Sequence, residues 1–493
     1  MLPLIRAAKK AIHNIAIYSD GNQYTYDQLL KDSTSVALYL LDKTNDLAEE
    51  RVAFMVDPGY EYVVCQWAIW RAGGITVPIC ISYPLPSIKY VLEDTGAKKI
   101  ICSKKYKHFF SEINDPSLVC IDAEAMLTLP HSFRKLPVIK PHRAAMILYT
   151  SGTTNLPKGV VTTHANIQAQ VTGLIKAWKW SAHDHILCVL PLHHVHGIIN
   201  VVTCALWSGA KVEFLPTFDA KVVFDLFVKG HINVFMAVPT IYYKLISYWE
   251  SLSDEKQIDI TYALSGFRLM VSGSAALPMT TLEKWKEISH HILLERYGMT
   301  EIGMAISNPY DGERRPGYIG KPLPGVKIRL SDENNNLIKG KKPGEIQIKG
   351  KNVFKEYWAK PDATAKAFTD DGWFKSGDIA IKEKGYYKIL GRDSIDIIKS
   401  GGYKISALEI EDVLRKYHLI NDCSVIGIPD PEWGEKIAVA LIADEKINLD
   451  ELNSWIRTIL PGYKIPRLYK IVDDLPRNAM GKVTKNELKK LFI

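Results

Sequence analysis

Apolar positions in the first 300 residues fall into short continuous runs separated by amphipathic stretches. RVAFMVD (51–57), KKIICS (98–103), AAMILYT (144–150), HILCVLPL (185–192), KVEFLP (211–216), NVFMAVP (233–239) and FRLMVSG (267–273) have the length and composition of buried strands. Between them YDQLLKDSTSVALYLL (26–41), VVFDLFVKG (222–230), TIYYKLISYW (240–249) and TLEKWKEI (281–288) place apolar residues at helical spacing. Regular alternation of the two predicts parallel sheets covered by helices, a class that binds ligands at the carboxyl ends of its strands.

After Ser331 the texture changes to shorter, more polar β segments such as GEIQIKG, GWFKSGD and GYYKILGR, which predicts a β-rich subdomain over about 331–392. From Asp393 a further unit follows, with helix ALEIEDVLRKY, strands CSVIGIPD and IAVALIAD, helix LDELNSWIRTIL, strand YKIVDD and a terminal helix ELKKLF. It is long enough to fold alone. The expected fold class is α/β: a large N-terminal domain (1–392) with parallel sheets and a small β-rich subdomain, and a small mobile α+β C-terminal domain (393–493). The boundary is expected at GRDSID (391–396).

Composition narrows the function classes. The 493 residues exceed one hydrophobic core, and 47% hydrophobic with 24% charged residues is an ordinary globular balance. The most apolar stretch, 197–210, is shorter than the roughly 20 residues that span a bilayer, so no membrane association is expected. Seven dispersed cysteines without a CxxC pair read as reduced core thiols, with the cytoplasm as the default compartment. Residues 1–19 hold Arg6, Lys9 and Lys10 and no acid, a faint transit-peptide signature, but a strand-and-turn pattern beginning near Ile15 leaves little room for a removable leader. The charge of +8 is uneven: 393–493 carries 15 basic and 16 acidic residues, the rest 47 and 38. That surplus favours anionic small molecules, and no dense basic stripe points to nucleic acid.

YTSGTTNLPKG (149–159) directly follows a predicted buried strand. Gly152 and Gly159 let backbone N–H groups approach an anion, Thr150, Ser151, Thr153 and Thr154 add hydroxyl donors, and Lys158 adds charge. This is a phosphate cradle, although not the Gly-Lys-Ser/Thr loop of P-loop nucleotidases. The string resembles the phosphate loop of acyl-adenylate-forming enzymes, which include acyl-CoA synthetases, peptide-synthetase adenylation domains and beetle luciferases.

Further motifs follow in that family's order. In ERYGMTE (295–301) the resemblance implies that Tyr297 stacks on adenine, Thr300 contacts the α-phosphate and Glu301 holds Mg²⁺. It also carries Ser274, Glu295, Arg296, Gly298 and Met299 into the ATP/AMP-binding set. Asp378 in SGD would bind the ribose hydroxyls, and Arg392 ribose or phosphate. GRDSIDIIKSGGYKIS (391–406) resembles the interdomain hinge and the loop that passes coenzyme A, implicating Lys399, Ser400, Gly401, Gly402 and Tyr403. The segment is one residue longer than usual, so Ser394, Ile395 and Asp396 all stay open as the pivot. PRNAMGKVTK places Lys482 as the adenylation lysine, whose acetylation would abolish its charge and thereby regulate the enzyme. The implied substrates and cofactors are ATP, Mg²⁺ and coenzyme A, and the implied chemistry is formation of an acyl-adenylate followed by a thioester.

Substrate choice rests on PLHHVHG (191–197), which puts His194 or His196 near the acyl group, and on three arginines. Arg268 in FRLMVSGSAALP and Arg314 and Arg315 in NPYDGERRPG would be costly beside an acyl pocket unless an anion paired with them. A second substrate carboxylate would supply it. The combination resembles the malonyl-CoA synthetases, implying malonate, with methylmalonate second. A monocarboxylate-CoA ligase with structural arginines, or a module loading a carrier protein, are the alternatives.

Overall fold

The apolar runs occupy the centre of two sheets. The computed structural model describes residues 1–113, 115–131, 134–150, 157–393, 395–401, 403–444, 447–477 and 482–492. Six strands form the parallel heart of a nine-stranded sheet, in the order Leu294–Met299, Leu269–Ser272, Val234–Ala237, His185–Cys188, Lys211–Phe214 and Ile15–Ser19. Antiparallel strands Gly303–Ser307 and Lys321–Pro322 finish one edge, and Asn22–Thr25 the other. A seven-stranded sheet runs Glu356–Tyr357, Gly159–Thr163, Ala144–Tyr149, Ile75–Pro78, Arg51–Met55, Lys99–Cys102 and Val119–Asp122. Strands buried on both faces carry unbroken apolar sequence, as parallel sheets require.

Helices cover these sheets where the spacing predicts. Tyr26–Leu41 starts at a capping box in which Thr25 and Gln28 satisfy each other's backbone N–H groups, and its buried Tyr26 hydroxyl donates to Ala210 O at 2.6 Å. The apolar stretch at 197–210 is neither strand nor simple helix. Residues His196–Thr203 wind as a π-helix, fastened by Thr203 Oγ1 donating to Ile198 O at 2.6 Å, before a short α-helix, Cys204–Trp207. Apolar periodicity carries no signal that separates π from α winding. A further helix, Pro3–Lys10, buries Leu4, Ile5 and Ala8 against the same region.

The β-rich part differs from the sequence expectation in two respects. Its antiparallel sheet, Val326–Ser331, Gly344–Gly350, Phe374–Glu383 and Tyr386–Arg392, begins five residues earlier than Ser331. The chain also leaves it at Glu356–Tyr357 to pair with Gly159–Thr163 in the seven-stranded sheet, so the segment is stitched to its neighbour. Beyond it, Ile397–Ser400, Tyr403–Ser406, Gly434–Ala443, Ile420–Asp430 and Leu468–Ile471 form a separate mixed sheet packed by helices Ala407–Leu414 and Leu449–Arg457 around its own core. Among the described residues no helix is long and apolar enough to cross a membrane.

The turn after Leu294–Met299 sets the position of everything at that sheet edge. A Cβ on Gly298 would lie 2.1 Å from Gly303 O and 2.3 Å from Met304 Cε. Gly298→Ala is therefore expected to lower unfolding free energy by about 1–3 kcal/mol, measured by urea denaturation, through overpacking of this hairpin.

Candidate active site

Four strand ends, at Cys188, Ala237, Ser272 and Met299, open toward one edge of the nine-stranded sheet, and the second sheet meets them through Tyr357. The hairpin Ala144–Tyr149 and Gly159–Thr163 fixes the base of the phosphate loop, with Thr150 N donating to Lys158 O at 3.0 Å. Ser151, Gly152, Thr153 and Thr154 lie outside the described residues. The Lys158 ammonium stands 5.0 Å from the centre of the Tyr357 ring. The Tyr357 hydroxyl donates at 2.8 Å to Glu301 Oε1, while Glu301 Oε2 is buried with no hydrogen-bond partner among the described residues. Burial raises the Glu301 pKa. A carboxylate with one oxygen tied down and the other free inside the protein suits Mg²⁺, which takes one or two protein carboxylates and completes its shell with phosphates and water. Tyr357 was not legible as a site residue, since its sequence context, KEYW, is that of an edge strand.

Asp378 and Arg392 are register partners on adjacent strands, and their side chains meet: Arg392 Nε donates to Asp378 Oδ1 at 2.9 Å, and the Tyr297 hydroxyl to Asp378 Oδ2 at 2.6 Å. Thr300 lies in the turn between this tyrosine and Glu301. Met299 and Gly298 shape that turn, and Glu295 is buried behind it, accepting from Gly317 N at 2.8 Å.

A second polar cluster lies beside the π-helix. Arg296 is buried, its Nη2 donates to Ser274 Oγ at 3.2 Å, and its Nε has no partner among the described residues. Ser274 Oγ lies 3.2 Å from His196 Nδ1. Gly273 permits this approach, because a Cβ there would come within 2.5 Å of the guanidinium carbon. Ser274 itself sits at φ +72°, a backbone conformation that a non-glycine residue holds only where the surroundings enforce it. The Nε2 atoms of His194 and His196, Ser272 Oγ and both amide atoms of Asn200 are likewise buried without partners. Burial, with added repulsion from His193 and Lys482, pushes the His194 pKa down to about 2; burial and Arg296 push His196 well below its ordinary value. Both rings are neutral at physiological pH. Burial lowers Arg296 to about 9, still protonated near neutrality.

The three arginines expected to clamp a distal carboxylate do not line this cluster. Arg268 stands at the amino end of Leu269–Ser272, about 20 Å along the chain from Ser274 at an extended-strand rise. It makes a two-pronged ion pair with buried Asp184, Nε to Oδ1 at 2.5 Å and Nη2 to Oδ2 at 2.6 Å, and donates to Trp178 O. Arg314 spends its N–H groups on the carbonyls of Pro309, Ile292 and Tyr310. Arg315 pairs with Glu313 at 3.0 Å and packs on the Tyr386 ring. Arg296, which the motif order had put with the nucleotide, is the guanidinium beside the histidines.

Lys482 projects into the cleft between the small C-terminal unit and these clusters. The residue as a whole is exposed, yet desolvation around the ammonium, then the positive charges of Arg392 and Arg296, lower its pKa against the opposing pull of Asp378 and Asp396. The Lys399, Ser400, Gly401 and Tyr403 positions form a hairpin on the small unit, and Gly402 lies outside the described residues. Gly401 N donates to Trp433 O at 2.9 Å, Arg467 lies 3.8 Å over the Trp433 ring, and exposed Tyr403 stacks on Tyr463 at 4.4 Å. Trp433, Tyr463 and Arg467 had no recognisable motif in the sequence.

Residues 4–358 match the AMP-binding enzyme family, and 409–482 match the AMP-binding enzyme C-terminal domain. The chain belongs to the AMP-binding enzyme family. A malonate–CoA ligase of Bos taurus, named as mitochondrial, is 42% identical over 96% of this chain and 87% of its own length. The ATP-bound MatB crystal structure from Rhodopseudomonas palustris has a TM-score of 0.91 at 31% identity, covering 100% of this chain and 98% of that one. A malonyl-CoA ligase product complex with methylmalonyl-CoA and AMP, also 31% identical and covering 97% and 100%, gives 0.70. The fold class is the adenylate-forming one that the sequence predicts.

Two stability effects follow. Arg268→Ala strands the Asp184 carboxylate in the interior and should cost about 3–5 kcal/mol in urea unfolding, leaving the Arg296 cluster at the far strand end intact. Burial raises the Glu295 carboxyl from 4.5 to about 8. The folded state therefore holds a proton that the unfolded state releases, so this residue's contribution weakens as pH rises through that window. The stability gain from Glu295→Gln should accordingly grow between pH 5 and pH 8 in parallel urea titrations.

Proposed function

We propose that the protein joins malonate to coenzyme A at the expense of ATP, through malonyl-adenylate, with release of pyrophosphate and then AMP. The observation that carries the reading is Arg296, a buried guanidinium with an unused N–H, set among Ser274, His196 and His194. A buried cation without an anion is costly, and a monocarboxylate would leave it so. The distal carboxylate of malonate supplies the missing charge, and the guanidinium can take it through two N–H groups. Methylmalonate adds one methyl and is a possible second substrate.

With the distal carboxylate held, the proximal carboxylate faces the nucleotide side. Asp378 accepts from the ribose hydroxyls, exchanging its present contacts with Tyr297 and Arg392 for them in part, and Lys158 and the 150–159 loop receive the phosphates. Glu301, held by Tyr357, would ligate Mg²⁺, which offsets triphosphate charge when bound. The carboxylate oxygen attacks the α-phosphorus, the bond to the bridging oxygen breaks, and pyrophosphate leaves. Lys482 stabilises the charge that builds between the attacking oxygen and the α-phosphate. Neutral His194 and His196 cannot compete with Lys482 and Arg296 for the anions, and they exclude water.

In the second step the thiol of coenzyme A loses its proton and attacks the acyl carbon, and AMP leaves. Lys482 is not needed there, whereas the 399–403 hairpin is, so the small unit (393–493) rotates between steps about the segment after Arg392. The difference in superposition on the ATP-bound and product-bound relatives, at equal identity, supports such a rotation. The Tyr403–Tyr463 stack and the Arg467–Trp433 pair offer flat surfaces for the adenine of coenzyme A, and Gly401 lets the pantetheine arm pass close to backbone. The free thiols suit a reducing compartment, either the cytoplasm or the mitochondrion named for the cattle relative.

The test is formation of pyrophosphate and acyl-CoA from ATP, Mg²⁺ and coenzyme A with acetate, malonate, methylmalonate, succinate and octanoate. Malonate should dominate. Arg296→Met should lose that preference, about 100-fold in kcat/KM, as a buried charge-assisted pair is lost. Preference for acetate or octanoate, unchanged in Arg296→Met, would contradict the malonate reading.

A further inference from the structure

The carboxylate of Asp396 joins the two parts of the molecule. Its Oδ2 accepts from Arg392 N at 3.1 Å, and Arg392 ends the last strand of the β-rich sheet. Its Oδ1 lies 2.7 Å from Lys485 Nζ, whose other neighbour is Glu411 Oε1 at 2.9 Å. Lys485 is almost wholly enclosed, with 8% of its side chain exposed, and Glu411 with 6%. Glu411 is held in turn by Val425 N at 2.9 Å and by Arg415 at 3.6 Å. The Asp396 backbone is also committed on both sides, its N–H donating to Arg392 O at 2.8 Å and its carbonyl accepting from Ala407 N at 2.8 Å.

Lys485 follows Lys482 by three residues and opens the helix Lys485–Lys489. Between them Val483 bridges to Arg477, and Thr484 N donates to Pro476 O at 2.7 Å. The segment carrying Lys482 is thus tethered at its base by an enclosed ammonium, and that ammonium is bound to the residue gripping the large domain's last strand. A solvated lysine at this position would need neither carboxylate. An enclosed carboxylate, Glu411, and a half-buried one, Asp396, converge on one enclosed ammonium and form a fixed joint, because withdrawing Asp396 leaves Lys485 with less compensation inside the protein.

We propose that the Asp396–Lys485 ion pair is a latch that sets the small unit so that Lys482 reaches the cleft for adenylation. Asp396 and Lys485 are positioning residues acting through Lys482. When the small unit turns for thioester formation, Asp396 keeps the Arg392 N–H and parts from Lys485, which travels with Glu411 in the small unit. The latch therefore serves the first step and not the second. It rests on the proposed two-step ligation.

The two steps can be read separately in the full-length protein. Malonate-dependent exchange of pyrophosphate into ATP reports the first. Release of coenzyme A from malonyl-CoA on addition of AMP reports the second in reverse: a phosphate oxygen of AMP attacks the thioester carbonyl, the C–S bond breaks and the thiolate takes up a proton. Asp396→Asn keeps the shape and the acceptor for Arg392 N but removes the charge from Lys485. Exchange should fall about 100-fold, the scale expected from misplacing a catalytic group by about 1 Å, with coenzyme A release within about 3-fold of wild type. Lys485→Arg should retain exchange, since a guanidinium can span the same two carboxylates, whereas Lys485→Met should lose it. Should Lys485→Met fail to fold by circular dichroism, Asp396→Asn decides. Equal loss in both steps, or unchanged exchange in Asp396→Asn, overturns the latch. A wild-type protein without malonate-dependent exchange would instead remove the ligase reading on which it rests.

Discussion

Three cationic side chains, Arg296, Arg392 and Lys482, face one cleft in which Asp378 accepts from Arg392 and, with Asp396, offsets part of the charge around Lys482, and this surplus of positive charge governs the site. Proteins rarely gather like charges in a desolvated space, because repulsion adds to the cost of burial. Here the rest of the fold is arranged to hold them. Arg296 is locked in a strand of the central sheet, Arg392 in the last strand of the antiparallel sheet, and Lys482 at the foot of an anchored loop on the small unit. The two histidines beside them are kept neutral by burial and by those same charges, so they add no further repulsion. Such a site is preorganised for anions: an α-phosphate, the carboxylate that attacks it, and a second carboxylate beyond.

The placement follows from sheet geometry. Parallel strands deliver their loops to one edge, and the loops after Cys188, Ser272 and Met299 supply the histidines, Ser274 and Glu301 from three neighbouring strands. The second sheet contributes the phosphate hairpin and, through the short excursion of Glu356–Tyr357, the hydroxyl that orients Glu301. The three arginines away from this cluster have partners of their own. Arg268 is satisfied by Asp184, Arg314 by carbonyls, and Arg315 by Glu313 and an aromatic face.

Much of this was legible in the residues. Continuous apolar runs and helical spacing identified the strands and helices of the large domain, because burial on both faces leaves a strong and local signature. YTSGTTNLPKG could be read as a phosphate cradle because a backbone that approaches an anion calls for glycines and hydroxyls, whereas ERYGMTE was legible only through its resemblance to the family. On the acyl side the histidines could be placed but the partners of the arginines could not. Arg268 precedes one buried strand and Arg296 lies within another, and an apolar run does not tell which arginine comes to the histidines and which to Asp184. The π-helix, the Tyr357–Glu301 contact and the Asp396–Lys485 pair depend on partners 56 to 89 residues away or on winding, and neither leaves a periodic trace.

The central claim is that Arg296 reads a second carboxylate at a site otherwise built for an acyl-adenylate. It is tested most directly by calorimetric titration with two non-hydrolysable acyl-adenylate analogues, sulfamoyl adenosines bearing malonyl or propionyl groups, against wild type and Arg296→Met. The account predicts that wild type binds the malonyl analogue about 100-fold more tightly, the worth of a buried charge-assisted pair, and that the difference collapses in Arg296→Met. Equal affinities in wild type, or a malonyl preference that survives the substitution, would contradict it.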